Sequence, residues 1–188
     1  MKIEQEKEAV MKRYEDTSNW IEEVQSTSRV DAGKSMRGIE HPIIGYTAGV
    51  FDMFHIGHLN ILKNAKQLCD FLIVAVSTDE VVEINKHKKP IIPFADRIKI
   101  VEAIRYVDKV VPQTSYSIEG KKQAAIDNHI HYMFVGDDWK GTDKWKAIEN
   151  TLAEVGVEVI YLPHTDGISS TMLREKTGLK CAMPEVST

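Results

Sequence analysis

The chain has few cysteines, little net charge and no long apolar run, and each absence argues against a class of protein. Its two cysteines, Cys69 and Cys181, form no Cys-x-x-Cys pair, and Cys69 is expected to be a reduced core thiol. The net charge of −4 provides no basic excess of the kind that binds nucleic acid. No apolar run approaches the roughly 18–20 residues of a membrane span, so membrane insertion is not expected. The Lys/Glu-rich first residues lack the apolar segment of a secretory signal, so we expect a cytoplasmic protein.

The remaining composition is that of one folded α/β domain with an appendage. Of the 188 residues, 43% are hydrophobic, which is enough for a sizeable core. We predict a helical extension or arm over residues 1–40, the main domain over residues 41–180 and a tail over residues 181–188. The extension contains apolar positions at helical spacing and then a polar, glycine-containing linker, without a recognisable catalytic motif.

The most informative stretch ends in the tetrad His55-Ile56-Gly57-His58. It begins with β-branched residues and glycines that predict a buried strand followed by a tight turn. The apolar residues after it recur at helical spacing, so His55 and His58 should lie on one face of a first helical turn. Such a turn offers free N–H groups and a positive dipole end, both of which attract phosphate. Two other interpretations stay open: solvated histidines, or a zinc site that would need a third ligand.

Strand and helix patterns alternate along the rest of the domain. Strands are predicted at 71–76, 107–111 (ended by Pro112), 132–135 and 157–162, and helices at 93–106, 118–128, 145–155 and 169–176. This alternation predicts a parallel sheet with helices on both faces. Because ligands bind beyond the carboxyl ends of such strands, the segments that follow the strands should line one cleft. These segments are 49–58, 77–88, 136–139 and 163–171.

A second segment carries hydroxyl groups at a predicted helix start. Ser169, Ser170 and Thr171 follow Gly167, which permits a tight turn, and they form another arrangement suited to an anion. Alone this is an ordinary helix cap. Together with the histidine tetrad, it resembles the two sequence ends of the nucleotide site in the cytidylyltransferase-like superfamily.

Within that superfamily the chain most resembles the glycerol-3-phosphate cytidylyltransferases, from about Ile43 to Lys176. The stretches that carry the resemblance are Phe51-Asp52, Ala65-Lys66-Gln67-Leu68, Val74-Ala75-Val76-Ser77-Thr78-Asp79-Glu80, Ile104-Arg105-Tyr106-Val107-Asp108 and Gly136-Asp137-Asp138-Trp139. The resemblance implies a Rossmann-like fold and transfer of CMP from CTP to glycerol 3-phosphate, giving CDP-glycerol and pyrophosphate. It also implies Mg²⁺ with the CTP substrate, a homodimer, and a product that supplies a glycerol-phosphate-containing surface polymer.

The resemblance further implies roles for individual residues. It makes His55, His58, Lys86 and Thr171 catalytic. It assigns nucleotide binding to Val50, Phe51, Gly57, His58, Lys88, Arg105, His164, Thr165, Gly167, Ile168, Ser169, Ser170 and Thr171. It assigns binding of the phosphorylated acceptor to Lys86, Lys121 and Arg97, and contact with the magnesium triphosphate to Asp52.

Two positions depart from the family pattern, and they leave alternatives open. His164 stands where the family usually has Arg, and Val50 stands where it favours Thr. The donor could therefore be ATP, and the acceptor could be phosphocholine, phosphoethanolamine or another polyol phosphate. A different class of function, a catalytically weak nucleotide-binding subunit with an assembly role, also stays open.

Overall fold

One parallel sheet forms the centre of the domain in a computed structural model that describes residues 42–178, Gln5 and Glu8. Its strands are β1 (Ile44–Gly49), β2 (Phe71–Ser77), β3 (Lys109–Gln113), β4 (Tyr132–Gly136) and β5 (Glu158–Leu162). The strand order is β3-β2-β1-β4-β5, and every neighbouring pair is parallel. This confirms the predicted Rossmann-like sheet. The predicted extension (1–40) and tail (181–188) fall outside the described residues, apart from Gln5 and Glu8.

Strand β2 is buried on both faces, which explains its unbroken apolar sequence. Leu72, Val74 and Val76 belong to the core on one face of the sheet, and Ile73 and Ala75 belong to the core on the other. Successive side chains of a strand point to opposite faces. A strand between two helical layers therefore needs apolar residues at every position.

Helices cover both faces of the sheet. They are α1 (Ile56–Lys66), α2 (Asp79–Lys86), α3 (Phe94–Glu102), α4 (Ile118–Asp127), α5 (Asp143–Ala153) and α6 (Ser170–Thr177), with a 3₁₀ turn at Asp137–Trp139. Helices α1 and α3 supply core residues on one face, and α4 and α5 supply them on the other. Within the described part of the chain, no helix is both long and apolar enough to cross a membrane.

The structure adds one helix that was not predicted and shortens another. Helix α2 was not predicted, because its β-branched residues are poor helix formers. It nevertheless begins after Thr78, whose hydroxyl accepts a hydrogen bond from the Val81 N–H at 3.4 Å. Helix α3 ends at Glu102 rather than Tyr106, because turns then bring Asp108 onto β2, where its carboxylate accepts the Leu72 N–H at 2.6 Å.

Strand β3 also differs from the prediction that Pro112 ends it. The strand continues to Gln113, with Pro112 opposite Val76 of β2. Proline cannot donate a hydrogen bond in a sheet, but β3 is an edge strand and pairs only with β2. Proline is tolerated at such an edge because its missing N–H faces away from the sheet.

The sheet changes winding direction beside β1. The chain moves outward from β1 through β2 to β3, and then returns to place β4 on the other side of β1. Loops that leave the carboxyl ends of β1 and β4 therefore diverge and leave a crevice between them. The segments after β1, β2, β4 and β5 meet at this edge of the sheet, as predicted.

Candidate active site

The two histidines of the tetrad form a stacked pair at the start of α1. His55 is the cap residue, and its Nδ1 accepts a hydrogen bond from the Gly57 N–H at 3.1 Å. His58 is the third residue of the helix, and its Nδ1 accepts the His55 N–H at 3.4 Å. The ring centroids lie 3.9 Å apart. This is a reciprocal capping box in which two imidazoles replace the usual hydroxyl and carboxylate, so helix formation itself holds the rings in place.

The capping hydrogen bonds also determine which ring nitrogen carries the proton. Because each Nδ1 accepts a backbone N–H, the hydrogen of each neutral ring is on Nε2. Burial and the charge of His55 lower the pKa of His58 to about 4. Burial and the charge of His164 lower the pKa of His55 below its usual value. At neutral pH the pair therefore presents two uncharged N–H donors, a set suited to phosphate oxygens.

This arrangement modifies the expectation that free backbone N–H groups of the first turn bind the phosphate. Two of those N–H groups, from His55 and Gly57, are already bonded to the imidazoles. These two N–H groups are therefore not available to a ligand, and the Nε2–H groups of the imidazoles are the candidate hydrogen-bond donors in their place.

The segment of residues 164–171, called the closing segment below, lies against α1 and joins the two predicted parts of the site. Thr165 Oγ1 accepts a hydrogen bond from Asn60 Nδ2 at 3.1 Å. A Cβ atom placed on Gly57 would lie 3.6 Å from Ile168 Cγ2, so the closing segment approaches the glycine of the tetrad directly. The two distant motifs thus form one site.

The Gly-Asp-Asp-Trp motif after β4 helps to hold the closing segment. The carboxylate of Asp137 accepts a hydrogen bond from the His164 N–H at 3.1 Å. The motif therefore connects the carboxyl end of β4 with the loop that follows β5.

Asp52 fixes the loop between β1 and the histidines. Its side chain is buried and accepts the N–H groups of residues 91–92 at 3.0 and 2.9 Å, together with an ion pair from Arg174 of α6. Its main-chain oxygen accepts the Ser170 hydroxyl at 2.9 Å, and that hydroxyl lies 3.5 Å from His55 Nε2. Burial alone would raise the pKa of Asp52, but these hydrogen bonds and the arginine lower it below its usual value. Asp52 therefore links α6 to the histidine pair.

The described residues do not fit a resident metal site. Between residues 42 and 178, no group of three or more His, Cys, Asp or Glu side chains is arranged to hold a metal ion. Asp52, the predicted magnesium contact, already has hydrogen-bond or ion-pair partners on both carboxylate oxygens. The magnesium contact stays a prediction.

A cavity of about 200 Å³ adjoins this site at the carboxyl ends of the strands. Lys86, Lys121 and Lys144 line it, and none of its lining residues is an aspartate or a glutamate. The Nζ atoms of Lys86 and Lys121 lie 5.7 and 5.8 Å from the centroid of the Tyr116 ring. Burial and the charge of Lys144 lower the pKa of Lys121 to about 8. The cavity is therefore strongly cationic and suited to an anion.

Most predicted site residues lie at this edge of the sheet. Some of them belong to the histidine tetrad or line the cavity, and the others lie on the closing segment. They are Val50, His55, Gly57, His58, Lys86, Lys121, His164, Thr165, Gly167, Ile168, Ser169, Ser170 and Thr171. Lys88 lies close enough to Lys86 for its charge to lower the pKa of that lysine, after the larger effect of burial. Their contacts with a ligand stay predictions.

Arg97 does not reach the cavity, in contrast to its predicted contact with the acceptor. The side chain is fully buried. Its guanidinium donates to the carbonyl oxygens of Val50, Ser77 and Ile92 and forms an ion pair with Asp79 at 2.6 Å. Arg97 therefore holds together the loops that follow β1 and β2, and its donors are used within the protein.

Arg105 and Phe51, two predicted nucleotide contacts, are not among the residues that line the cavity. Arg105 is exposed next to Tyr106, in the segment that leads into the amino end of β3, which is the edge opposite the cleft. Phe51 is buried, and its ring centroid lies 5.3 Å from that of His58. Its ring therefore packs against the His58 imidazole within the protein. Sequence reasoning missed Lys144 and Tyr116 as cavity residues, because only their place in the fold brings them together, whereas Trp139 belongs to the segment 136–139 that was predicted to line the cleft.

Fold and site together define a nucleotidyltransferase of the His-x-Gly-His type. The chain belongs to the cytidylyltransferase-like family, whose family model matches residues 46–176. Among curated relatives, it is 44% identical to the glycerol-3-phosphate cytidylyltransferase of Bacillus subtilis strain 168, over 69% of this chain and 93% of that protein. It is 38% identical to the Staphylococcus aureus enzyme of the same name, over 69% and 91% of the two chains.

A solved structure supports the fold. The crystal structure of a lipopolysaccharide core biosynthesis protein from Thermoplasma volcanium GSS1 matches 66% of this chain and 98% of its own, with a TM-score of 0.55. At 24% identity this similarity concerns the fold alone.

Proposed function

We propose that this enzyme transfers CMP from CTP to glycerol 3-phosphate and releases CDP-glycerol and pyrophosphate. The similarity to the two curated enzymes supports the reaction class and the substrate pair. The observation that carries the choice of acceptor is the cavity lined by three lysines without a carboxylate. A phosphorylated acceptor with no positive charge of its own fits these surroundings.

The same cavity disfavours acceptors that carry an ammonium group. Phosphocholine and phosphoethanolamine place a cation a few bonds from the phosphate. Lys86, Lys121 and Lys144 would repel that cation, and the lining residues offer no carboxylate to offset it. Aromatic rings of Tyr116 and Trp139 line the cavity, but Lys86 and Lys121 already lie near the Tyr116 ring. Glycerol 3-phosphate avoids this repulsion.

The reaction proceeds by direct in-line displacement. An oxygen of the acceptor phosphate forms a bond to the α-phosphorus of CTP, and the bond from that phosphorus to the bridging oxygen of pyrophosphate breaks. The attacking phosphate oxygen is already anionic, so no general base is required. Catalysis then consists of positioning and charge stabilisation. His55 and His58 donate from Nε2 to phosphate oxygens as negative charge builds up, and the lysines hold the acceptor.

Several further properties belong to the proposal and rest on family similarity. Mg²⁺ would accompany the CTP substrate and supply positive charge for its phosphates. The enzyme acts as a homodimer in the cytoplasm. Its product supplies a glycerol-phosphate-containing surface polymer.

Pyrophosphate release in a substrate grid tests the proposal. CTP, ATP, UTP and GTP are each combined with glycerol 3-phosphate, phosphocholine, phosphoethanolamine and a second polyol phosphate, in the presence of Mg²⁺. We expect release with CTP and glycerol 3-phosphate. Release with CTP and an ammonium-bearing acceptor would overturn the acceptor assignment, release only with ATP would overturn the donor, and no release in any combination would favour a non-catalytic role.

A further inference from the structure

Lys144 lies outside every sequence motif of the site but lines the same cavity as Lys86 and Lys121. It lies in the first turn of α5, after the cap residue Thr142. The next residue, Trp145, is buried in the hydrophobic core on one face of the sheet. Because the buried Trp145 side chain holds this helical turn against the core, the backbone of Lys144 has a fixed position beside the cavity.

The other side of the cavity is also held in place. The hydroxyl of Tyr116 donates to Ser77 Oγ at 2.9 Å, and Ser77 Oγ donates to the side chain of Gln113 at 2.8 Å. These hydrogen bonds tie the Tyr116 ring to the ends of β2 and β3. The ammonium groups of Lys86 and Lys121 lie within 6 Å of that ring. The cations therefore approach one space from three helices, α2, α4 and α5.

The three charges repel one another. After burial, and for Lys86 also after the charges of Lys88 and Arg174, the positive charge of Lys144 contributes to lowering the pKa of both Lys86 and Lys121. Like charges held together without a carboxylate among the lining residues are unfavourable until an anion neutralises them. A dianionic phosphate would relieve this repulsion and hydrogen-bond to the ammonium groups.

We propose that Lys144 binds the acceptor phosphate and, with Lys86 and Lys121, selects phosphorylated acceptors that lack a cationic group. This inference rests on the proposed function and adds a residue that none of the motifs identifies. Lys144 should affect the affinity for the acceptor more than the chemical step, because the histidine pair at the nucleotide is a separate cluster.

Steady-state kinetics of Lys144→Met test the inference, with Lys146→Met as the matched control. Lys146 is on the same helix, is exposed like Lys144 and loses the same charge, but it pairs with Asp143 at 3.3 Å and is not among the residues lining the cavity. For Lys144→Met we expect KM for glycerol 3-phosphate to rise roughly tenfold or more, the effect of losing one charge-assisted hydrogen bond. We expect KM for CTP and kcat at saturating acceptor to stay within about twofold of the wild type, and Lys144→Arg to recover most of the affinity.

The possible results separate this inference from the proposed function. Equal acceptor KM values for Lys144→Met and Lys146→Met would overturn the role of Lys144, while wild-type turnover of glycerol 3-phosphate would leave the proposed function intact.

If the wild type uses a different phosphorylated acceptor, the proposed function fails and the same variants are compared on that acceptor. A KM increase for CTP as large as that for the acceptor would make Lys144 a nucleotide contact and contradict the inference. Absence of turnover with every acceptor would overturn both.

Discussion

At the scale of single residues, the histidine pair has two functions that can be separated. Each imidazole accepts a backbone N–H through Nδ1 and so caps α1. Nε2 of His58 is left to donate to a ligand, and Nε2 of His55 lies 3.5 Å from the Ser170 hydroxyl, which a ligand oxygen would replace as its acceptor. A substitution to alanine removes both functions at once, and its effect on kcat would be mixed with a loss of helix stability. Asparagine at position 55 and glutamine at position 58 keep a capping acceptor while removing the imidazole.

We predict that His55→Asn lowers kcat by roughly 10²–10³ without a comparable loss of stability, because one preorganised donor to the phosphate is lost. His55→Ala should lower kcat similarly and also lower the free energy of unfolding by about 1 kcal/mol, the value of a helix cap. Steady-state kinetics and urea denaturation of both variants measure the two effects. Near wild-type kcat in His55→Asn would show that His55 only caps the helix.

The lowered pKa of His58 predicts how stability depends on pH. The pKa falls from 6.5 to about 4 in the folded protein because burial disfavours the charged ring. Between these values the unfolded chain binds more protons than the folded chain, so the free energy of unfolding rises with pH. The contribution of His58 is complete above pH 6.5 and is lost as the pH falls towards 4.

The matching control for this pH dependence is His58→Gln, which keeps the capping acceptor but does not titrate. Urea denaturation between pH 4.5 and pH 7 should show a larger loss of stability on acidification for the wild type than for the variant. The same pH dependence in both proteins would mean that His58 is protonated in the folded state at its ordinary pKa.

At the scale of elements, the ion pair between Arg174 and Asp52 attaches α6 to the loop between β1 and α1. Both side chains are largely buried, at 12% and 2% exposed. The hydroxyl of Ser170, in the first turn of the same helix, donates to the main chain of Asp52. The helix and the histidine pair should therefore move together.

We predict that Arg174→Met destabilises the protein by roughly 1.5–3 kcal/mol, the value of hydrogen bonds to a charged group, and raises KM for CTP. Lys176→Met, at the exposed end of the same helix, removes one charge without breaking this ion pair, and it should change neither quantity appreciably. Urea denaturation and steady-state kinetics provide the measurements. If the two variants behave alike, the ion pair does not couple α6 to the nucleotide site.

At the scale of the whole molecule, local pattern was sufficient to predict the sheet. The apolar run of β2 and the alternation of strands with helices specify a parallel sheet, because each pattern reflects burial on both faces. Helix α2 was not predicted although Thr78 is a local capping signal, because the β-branched residues of the helix are poor helix formers. Strand β3 continues through Pro112 because β3 is an edge strand, and that edge position is set by the fold and not by the local sequence.

The candidate site was predictable where residues lie in a motif and much less so where they meet only in space. The histidine tetrad and the hydroxyl-bearing segment converge as expected. Arg97 and Lys144 show the limit of sequence reasoning. Both are basic residues in the family-matched region, but one is fully buried among carbonyl groups and the other lines the cavity. Which way a cation faces depends on packing that periodicity does not encode.

The most direct test of the account is a competition among acceptors, since the acceptor choice rests on the charge of one cavity. The enzyme is incubated with CTP, Mg²⁺ and equal concentrations of glycerol 3-phosphate, phosphocholine and phosphoethanolamine, and the products are identified by mass spectrometry. We predict that CDP-glycerol forms in large excess, because the three lysines attract its phosphate and repel the ammonium groups of the competitors. A mixture dominated by CDP-choline or CDP-ethanolamine would contradict the account.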